Sequence, residues 1–171
     1  MFLFKRRPKI GGLIAFHGIE KWWLKSFTEQ ERNYISDIYM PMGETNKNSL
    51  TDGKARQNRG QFHEDNFSTL LSSIPSYLRA PKDRPLQRKY LESALPLARN
   101  PMTEHFLLIA LIENYYSDRE DPAALSKAGE LCERDIKLAP AFKSAWFKKF
   151  PNDKNEEGEV CLAIQDLSSC R

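Results

Sequence analysis

The stretch from His105 to Pro140 restricts the fold of this 171-residue chain more than any other part of it. It reads HFLLIALIENYYSDREDPAALSKAGELCERDIKLAP, with apolar residues at helical spacing on both sides of a polar turn. In that turn, Asp121 and Pro122 favour a helix start, as an N-cap residue followed by proline in the first helical position. The pattern predicts two antiparallel helices packed on each other, the second of which ends near Ala139 because a proline follows.

The spacing within the second helix is typical of a known repeat. Ala128, Cys132 and Pro140 reproduce its intervals between a small residue, a bulky residue and a proline. Tyr116 falls where the repeat keeps a tyrosine late in its first helix, whereas Asp135 stands where a small residue is usual. The segment therefore resembles a tetratricopeptide repeat, and the resemblance implies a helical scaffold that binds a protein or peptide in a groove. The predicted buried face of the second helix consists of Leu125, Ala128, Leu131, Cys132 and Ile136.

The first helix of the hairpin carries the candidate contacts with a partner, because repeat grooves are lined by the first helix of each pair. If Tyr116 packs between the two helices, the opposite side of the first helix faces the groove. The side-chain amide of Asn114 is then placed to hydrogen-bond a peptide backbone. The predicted partner-binding residues are Leu107, Ala110, Asn114 and Ser117.

A second resemblance covers the whole chain. Residues 11–23 read GGLIAFHGIEKWW, and the chain is similar to a family of small uncharacterised bacterial proteins that share this segment ahead of a repeat-like C-terminus. The resemblance implies a helical scaffold and no known chemistry. Residues 157–167 are expected to form the first helix of a further repeat without its partner helix, so this segment is either a terminal cap or a shortened repeat. Apolar surface left uncovered there would favour self-association.

Helical patterns also occupy the N-terminal part of the chain. Thr28 and Glu31 form a capping box, which predicts that a helix starts near Glu29. Just upstream, Trp22 and Trp23 suggest either a platform for a ligand or, since large aromatic residues dominate burial in small domains, part of the core. The polar stretch that follows the helix is expected to be a long loop.

The complete pattern predicts an all-α fold built from antiparallel helical hairpins, with a tetratricopeptide-repeat-like C-terminal half. Further helices are predicted over residues 65–78, 85–99 and 102–117 from the spacing of their apolar residues. We expect two regions. Residues 1–63 contain a basic arm, helices and a polar loop, and residues 64–171 form the repeat-like region.

The basic N-terminal arm supports a second functional hypothesis. The arm consists of Lys5, Arg6, Arg7 and Lys9. Clustered cations bind the phosphates of anionic lipid or nucleic acid, but four charges without a long amphipathic helix also describe a solvated tail. The alternative to a protein-binding scaffold is therefore a peripheral protein associated with nucleic acid or a membrane.

No sequence pattern predicts catalysis. His17, His63 and His105 are isolated, without a nucleophile, nucleotide-binding or zinc-protease motif around them. The three cysteines lack a CxxC pair, which favours reduced thiols in the cytoplasm over a disulfide framework or a metal site. The longest apolar run, at residues 106–112, is too short to cross a bilayer. We expect a cytoplasmic protein that is not an enzyme and uses no cofactor or metal.

Overall fold

The computed structural model describes residues 10–41, 48–52 and 66–151. Helices account for 77% of these residues and no strand occurs among them, which confirms the all-α class. The chain separates into two compact units, Met1–Phe67 and Ser68–Arg171. The described α-helices are α1 (Gly12–Phe16), α2 (Glu20–Ser26), α3 (Glu29–Ile38), α4 (Asn66–Ser73), α5 (Arg84–Ala94), α6 (Pro101–Tyr116) and α7 (Pro122–Lys149).

In the first unit, a short loop supplies the hydrogen-bond acceptors for the start of α1. The N–H of Leu13 donates to the carbonyl oxygen of Ser49 at 3.0 Å. The next N–H, that of Ile14, donates to Leu50 at the same distance of 3.0 Å. Gly12 has a φ of +58°, and a Cβ there would lie 2.6 Å from the carbonyl carbon of Leu50. Glycine is required here because no other residue tolerates both the backbone angle and the close approach.

Two N-terminal predictions are confirmed in α2 and α3. The Thr28 hydroxyl accepts from the N–H of Glu31 at 3.2 Å, while the Thr28 N–H donates to the Glu31 carboxylate at 2.7 Å, which completes the capping box. Trp23 has no exposed surface and packs on Phe27, with ring centroids 5.1 Å apart. Trp22 is partly exposed and meets Phe27 edge-on. Trp23 is therefore part of the core of this unit.

The second unit follows the predicted helical ranges closely from α4 to α6. The predicted helix over residues 65–78 is α4 followed by a 3₁₀ turn at Ile74–Tyr77. A second 3₁₀ turn at Leu95–Leu97 ends α5, because the proline in that turn cannot donate the next hydrogen bond. Asn100 caps α6 by accepting from the N–H of Thr103 at 2.9 Å. Helices α5 and α6 pack as a pair, as do α6 and α7.

The last helix is longer than the sequence predicts. Instead of ending near Ala139, α7 continues through Pro140 for a further nine residues, to Lys149. A proline inside a helix removes one backbone hydrogen bond and usually ends the helix. Phe142, which is only 2% exposed, stacks on His105 with ring centroids 4.1 Å apart. Burial of this aromatic ring offsets the lost bond, so the predicted end of the helix is wrong.

The start of α7 and three of the five residues of its predicted face agree with the sequence. The Asp121 side chain accepts from the N–H of Ala123 at 2.9 Å, which confirms the predicted N-cap. Ala128, Leu131 and Cys132 are buried as predicted. Leu125 and Ile136 are 48% and 50% exposed, so their predicted burial is wrong. No helix in the described part of the chain combines the length and the apolar character needed to span a membrane.

Candidate functional site

A pocket of about 400 Å³ lies beside α6 in the second unit. Its volume is within the usual range for sites that hold a small molecule or a few side chains of a partner. The turn after α4 and the start of α5 form one side of it, and α6 forms the other. The apolar lining consists of Pro75, Leu78, Ala80, Pro81 and Ala110, and the larger polar side chains of the lining are Arg79, Arg84, Gln87, Glu113 and Asn114.

Asn114 joins α5 to α6 at the inner end of this pocket. It is 3% exposed, and its side-chain nitrogen donates to the backbone oxygen of Arg84 at 3.1 Å and to the side-chain oxygen of Gln87 at 2.6 Å. Its side-chain oxygen accepts from Nε of Arg88 at 2.7 Å. Both amide protons are therefore committed within the protein. Asn114 has no free donor for a peptide backbone, contrary to the role expected from the sequence.

The same two arginines also bind a carboxylate at the end of α6. Asp118 forms ion pairs with Arg84 and Arg88. Hydrogen bonds from Arg88 and then from Arg84 hold the pKa of Asp118 below its usual range. The carboxylate is 34% exposed, so solvent screens these pairs. Together with Asn114, Asp118 makes the contact between α5 and α6 a polar network.

Tyr115 extends this network away from the pocket. The guanidinium of Arg88 lies over its ring, 4.3 Å from the centroid, and its hydroxyl donates to Glu92. Partial burial, followed by the hydrogen bond to Glu92, raises the pKa of Tyr115 to about 12. The tyrosine therefore stays neutral at any physiological pH and acts as a hydrogen-bond donor between the helices.

Two charged groups of the pocket have no partner in the described part of the chain. Among the described residues, the guanidinium of Arg79 and the carboxylate of Glu113 have no hydrogen-bond or ion-pair partner. By contrast, Gln87 donates to the backbone oxygen of Pro75 at 2.9 Å, and Ser117 donates to that of Glu113 at 2.8 Å. The pocket therefore combines a rigid polar frame with an apolar wall and two unpaired charges of opposite sign.

The predicted partner-binding residues are divided between this pocket and the core. Ala110, Asn114 and Ser117 line the pocket, whereas Leu107 is only 1% exposed. The register assumed from the sequence is wrong, because Tyr116 is 53% exposed instead of packed between the helices. The basic arm of Lys5, Arg6, Arg7 and Lys9 lies outside the described residues, as do residues 157–167.

A buried polar pair between α6 and α7 has no signal in the sequence. Nδ1 of His105 lies 2.8 Å from a carboxylate oxygen of Asp135, and the two side chains are 2% and 0% exposed. Asp135 departs from the repeat pattern because it is the hydrogen-bond partner of His105. The two residues are 30 positions apart, and no local motif connects them. Full burial closes the pair to substrates, so it serves packing of the hairpin.

Neither the arrangement of metal-binding side chains nor comparison with known proteins points to another functional site. Within residues 10–41, 48–52 and 66–151, no group of three or more histidine, cysteine, aspartate or glutamate side chains is arranged to hold a metal ion. No protein-family model, curated protein or solved structure matches the chain. The pocket beside α6 is therefore the candidate functional site.

Proposed function

We propose that this protein is a non-enzymatic, cytoplasmic helical scaffold that binds a segment of another protein in the pocket beside α6. In this proposal α6 and α7 correspond to the two helices of a tetratricopeptide-repeat-like unit. The observation that carries it is the combination of an apolar wall with a polar frame whose hydrogen bonds are already made. Such a pocket keeps its shape before binding, which lowers the entropy lost when a partner is ordered.

The chemistry of the pocket favours a peptide segment over a folded surface or a small polar ligand. Its apolar wall, which includes Leu78 and Ala110, accepts one apolar side chain. Arg79 and Glu113 lie on its lining. Their unpaired charges have opposite signs and therefore orient a chain that carries both a carboxylate and a hydrogen-bond donor. A peptide provides an apolar side chain, carbonyl oxygens and N–H groups within a few residues, so it matches all three features.

The test is a selection from a random peptide library on the immobilised full-length protein. Peptides enriched on the wild type are measured against Ala110→Arg, which places a long charged side chain in the pocket. We expect at least about a ten-fold loss of affinity, because the arginine occupies the apolar wall. The matched control is Ala141→Arg, which makes the same change at an exposed position of α7 outside the pocket.

Two results would contradict the proposal. One is that no peptide family is enriched on the wild type above the background of the support. The other is that the enriched peptides bind Ala110→Arg as well as they bind the wild type and Ala141→Arg. Circular dichroism of each variant must show an unchanged helical signal and melting temperature, so that lost binding reports on the pocket.

A further inference from the structure

The last part of α7 presents a cationic surface. Residues 136–151 contain four lysines and no aspartate or glutamate. All four ammonium groups are on exposed residues, and none has an ion-pair partner among the described residues. Just upstream, Arg134 pairs with Glu104 at 2.6 Å. The four residues are Lys137, Lys143, Lys148 and Lys149.

A row of aromatic rings lies on the same part of the helix. Phe142 is anchored in the core against His105, and the ring of Trp146 follows 5.7 Å away. Phe150 continues the row at 4.8 Å from Trp146 and is 37% exposed. From α6, Phe106 meets Phe142 edge-on at 6.2 Å and is 42% exposed. The row therefore begins in the core and ends in solvent, with its outer rings fixed by its inner ones.

We infer that this end of α7 binds the surface of an anionic lipid bilayer. The row of Phe106, Trp146 and Phe150 enters the interface between headgroups and acyl chains, where tryptophan and phenylalanine are favoured. Lys143 and Lys149, three residues to either side of Trp146, contact lipid phosphates and carboxylates beside the row, and Lys137 and Lys148 add to the positive field of this end of the helix. Each lysine close to a membrane of negative surface potential raises affinity by about five-fold. The helix needs no refolding for this contact, because its buried face is already held by Phe142.

Lipid fits this surface better than nucleic acid for two reasons. The exposed rings lie in one row, and Lys143 and Lys149 lie three residues to either side of Trp146 on α7, as in a helix that lies in the plane of a membrane. All four cations are lysines, which bind phosphate as point charges, and arginine, which forms paired hydrogen bonds to phosphate and to bases, is absent from residues 136–151. A single-stranded oligonucleotide is therefore the competitor to include in the test.

The test uses co-sedimentation of the full-length protein with vesicles of phosphatidylcholine alone or mixed with phosphatidylserine. We expect binding to the mixed vesicles only, weakened by added salt. The triple variant Lys143→Gln, Lys148→Gln and Lys149→Gln should lose on the order of 25-fold in affinity, about five-fold for each of Lys143 and Lys149 beside the aromatic row. The matched control removes three exposed lysines elsewhere, as Lys21→Gln, Lys25→Gln and Lys127→Gln, and should keep most of the binding.

Tryptophan fluorescence tests whether the aromatic row enters the bilayer. Lipids brominated on their acyl chains should quench the wild type and leave Trp146→Phe almost unquenched, because Trp146 is the tryptophan that lies in the row. The inference is overturned if the triple variant binds like the wild type while neutralising Lys5, Arg6, Arg7 and Lys9 abolishes binding. Absence of binding to mixed vesicles overturns it as well. So does tighter binding to the oligonucleotide than to vesicles at the same salt concentration.

Discussion

The two sides of α6 are held by different kinds of interaction. Toward α5, Asn114 and Arg88 form a polar network that reaches solvent at the pocket. Toward α7, His105 makes one fully buried polar contact with Asp135 and stacks on the ring of Phe142. The polar contacts toward α5 fix the geometry of the two helices and add little net stability. Burial of side chains toward α7 gives most of the stability.

The difference shows why polar residues at a helix surface are a poor guide to binding. Asn114 has the position and chemistry of a residue that clamps a peptide, yet its amide is used to join two helices. The residues left for a partner are those that the network does not use, above all Arg79. In the proposed function, the pocket keeps its shape through one set of residues and recognises its ligand through another.

Of the variants considered, a charge placed at Leu107, in the core behind the polar side of α6, is expected to cause the largest loss of stability. Leu107 lies two helical turns before Asn114 and is 1% exposed, so Leu107→Glu places a carboxylate where no partner can neutralise it. We expect a loss of about 4 kcal/mol or more in the free energy of unfolding, measured by urea denaturation. Leu107→Met is the control and should cost less than about 1.5 kcal/mol. A folded, stable Leu107→Glu would show that this face is accessible after all.

The next largest loss of stability is expected when the buried pair of His105 and Asp135, between α6 and α7, is broken. Asp135→Ala leaves Nδ1 of His105 without its partner inside the core, and we expect a loss of about 3 kcal/mol in the free energy of unfolding. Replacing both residues with leucine should recover most of that loss, since no polar group is then left unpaired. Arg134→Ala breaks the neighbouring exposed pair with Glu104 and should cost less than about 1 kcal/mol. Equal losses for Asp135→Ala and Arg134→Ala would remove the contrast between buried and exposed pairs.

A smaller loss is expected on the α5 side. Asn114→Ala removes three hydrogen bonds and takes the Asn114 partner from the side-chain oxygen of Gln87 and from Nε of Arg88, where water can replace part of the loss. We expect a decrease of about 2 kcal/mol in the free energy of unfolding. Ser117→Ala, which removes an exposed hydroxyl from the same pocket, should change it by less than about 0.5 kcal/mol. Equal stability of the two variants would show that the network does not hold the helices together.

The pH dependence gives the most sensitive test of the network. Because the folded-state pKa of Asp118 is lowered from 3.8, its ionised form stabilises the fold above that pH, and this contribution is lost as the pH falls through the lower folded value. Asp118→Asn should therefore lower the melting temperature slightly at neutral pH and have no effect in strong acid. High salt should reduce the difference at neutral pH. A constant difference at every pH would mean that the arginines do not stabilise the charge.

The sequence was sufficient for most of the fold, because its helices are marked by local signals. The capping box at Thr28, the N-cap at Asp121 and the apolar spacing all act within a few residues. The same local rules failed at Pro140, where the continuation of α7 depends on a contact between Phe142 and His105. That contact joins two helices, and no single-helix pattern contains it.

The candidate site was harder to predict for a related reason. Three of the four partner-binding residues expected from α6 line the pocket, but the other wall comes from the turn after α4, which has no distinctive motif. The resemblance to a repeat predicts that Tyr116 packs between the two helices, whereas its side chain is exposed. Which way a helix faces is decided by all of its neighbours, so its own spacing specified only that one face is apolar.

We propose that one set of residues shapes the pocket and another binds the partner. The most direct test of this proposal measures peptide affinity and the free energy of unfolding for Arg79→Glu and Asn114→Ala side by side. We predict that Arg79→Glu abolishes binding of the selected peptides at unchanged stability, since Arg79 is exposed and unpaired among the described residues. Asn114→Ala should lose affinity only together with a decrease in the free energy of unfolding. Unchanged peptide affinity in Arg79→Glu, or lost affinity at full stability in Asn114→Ala, would contradict the account.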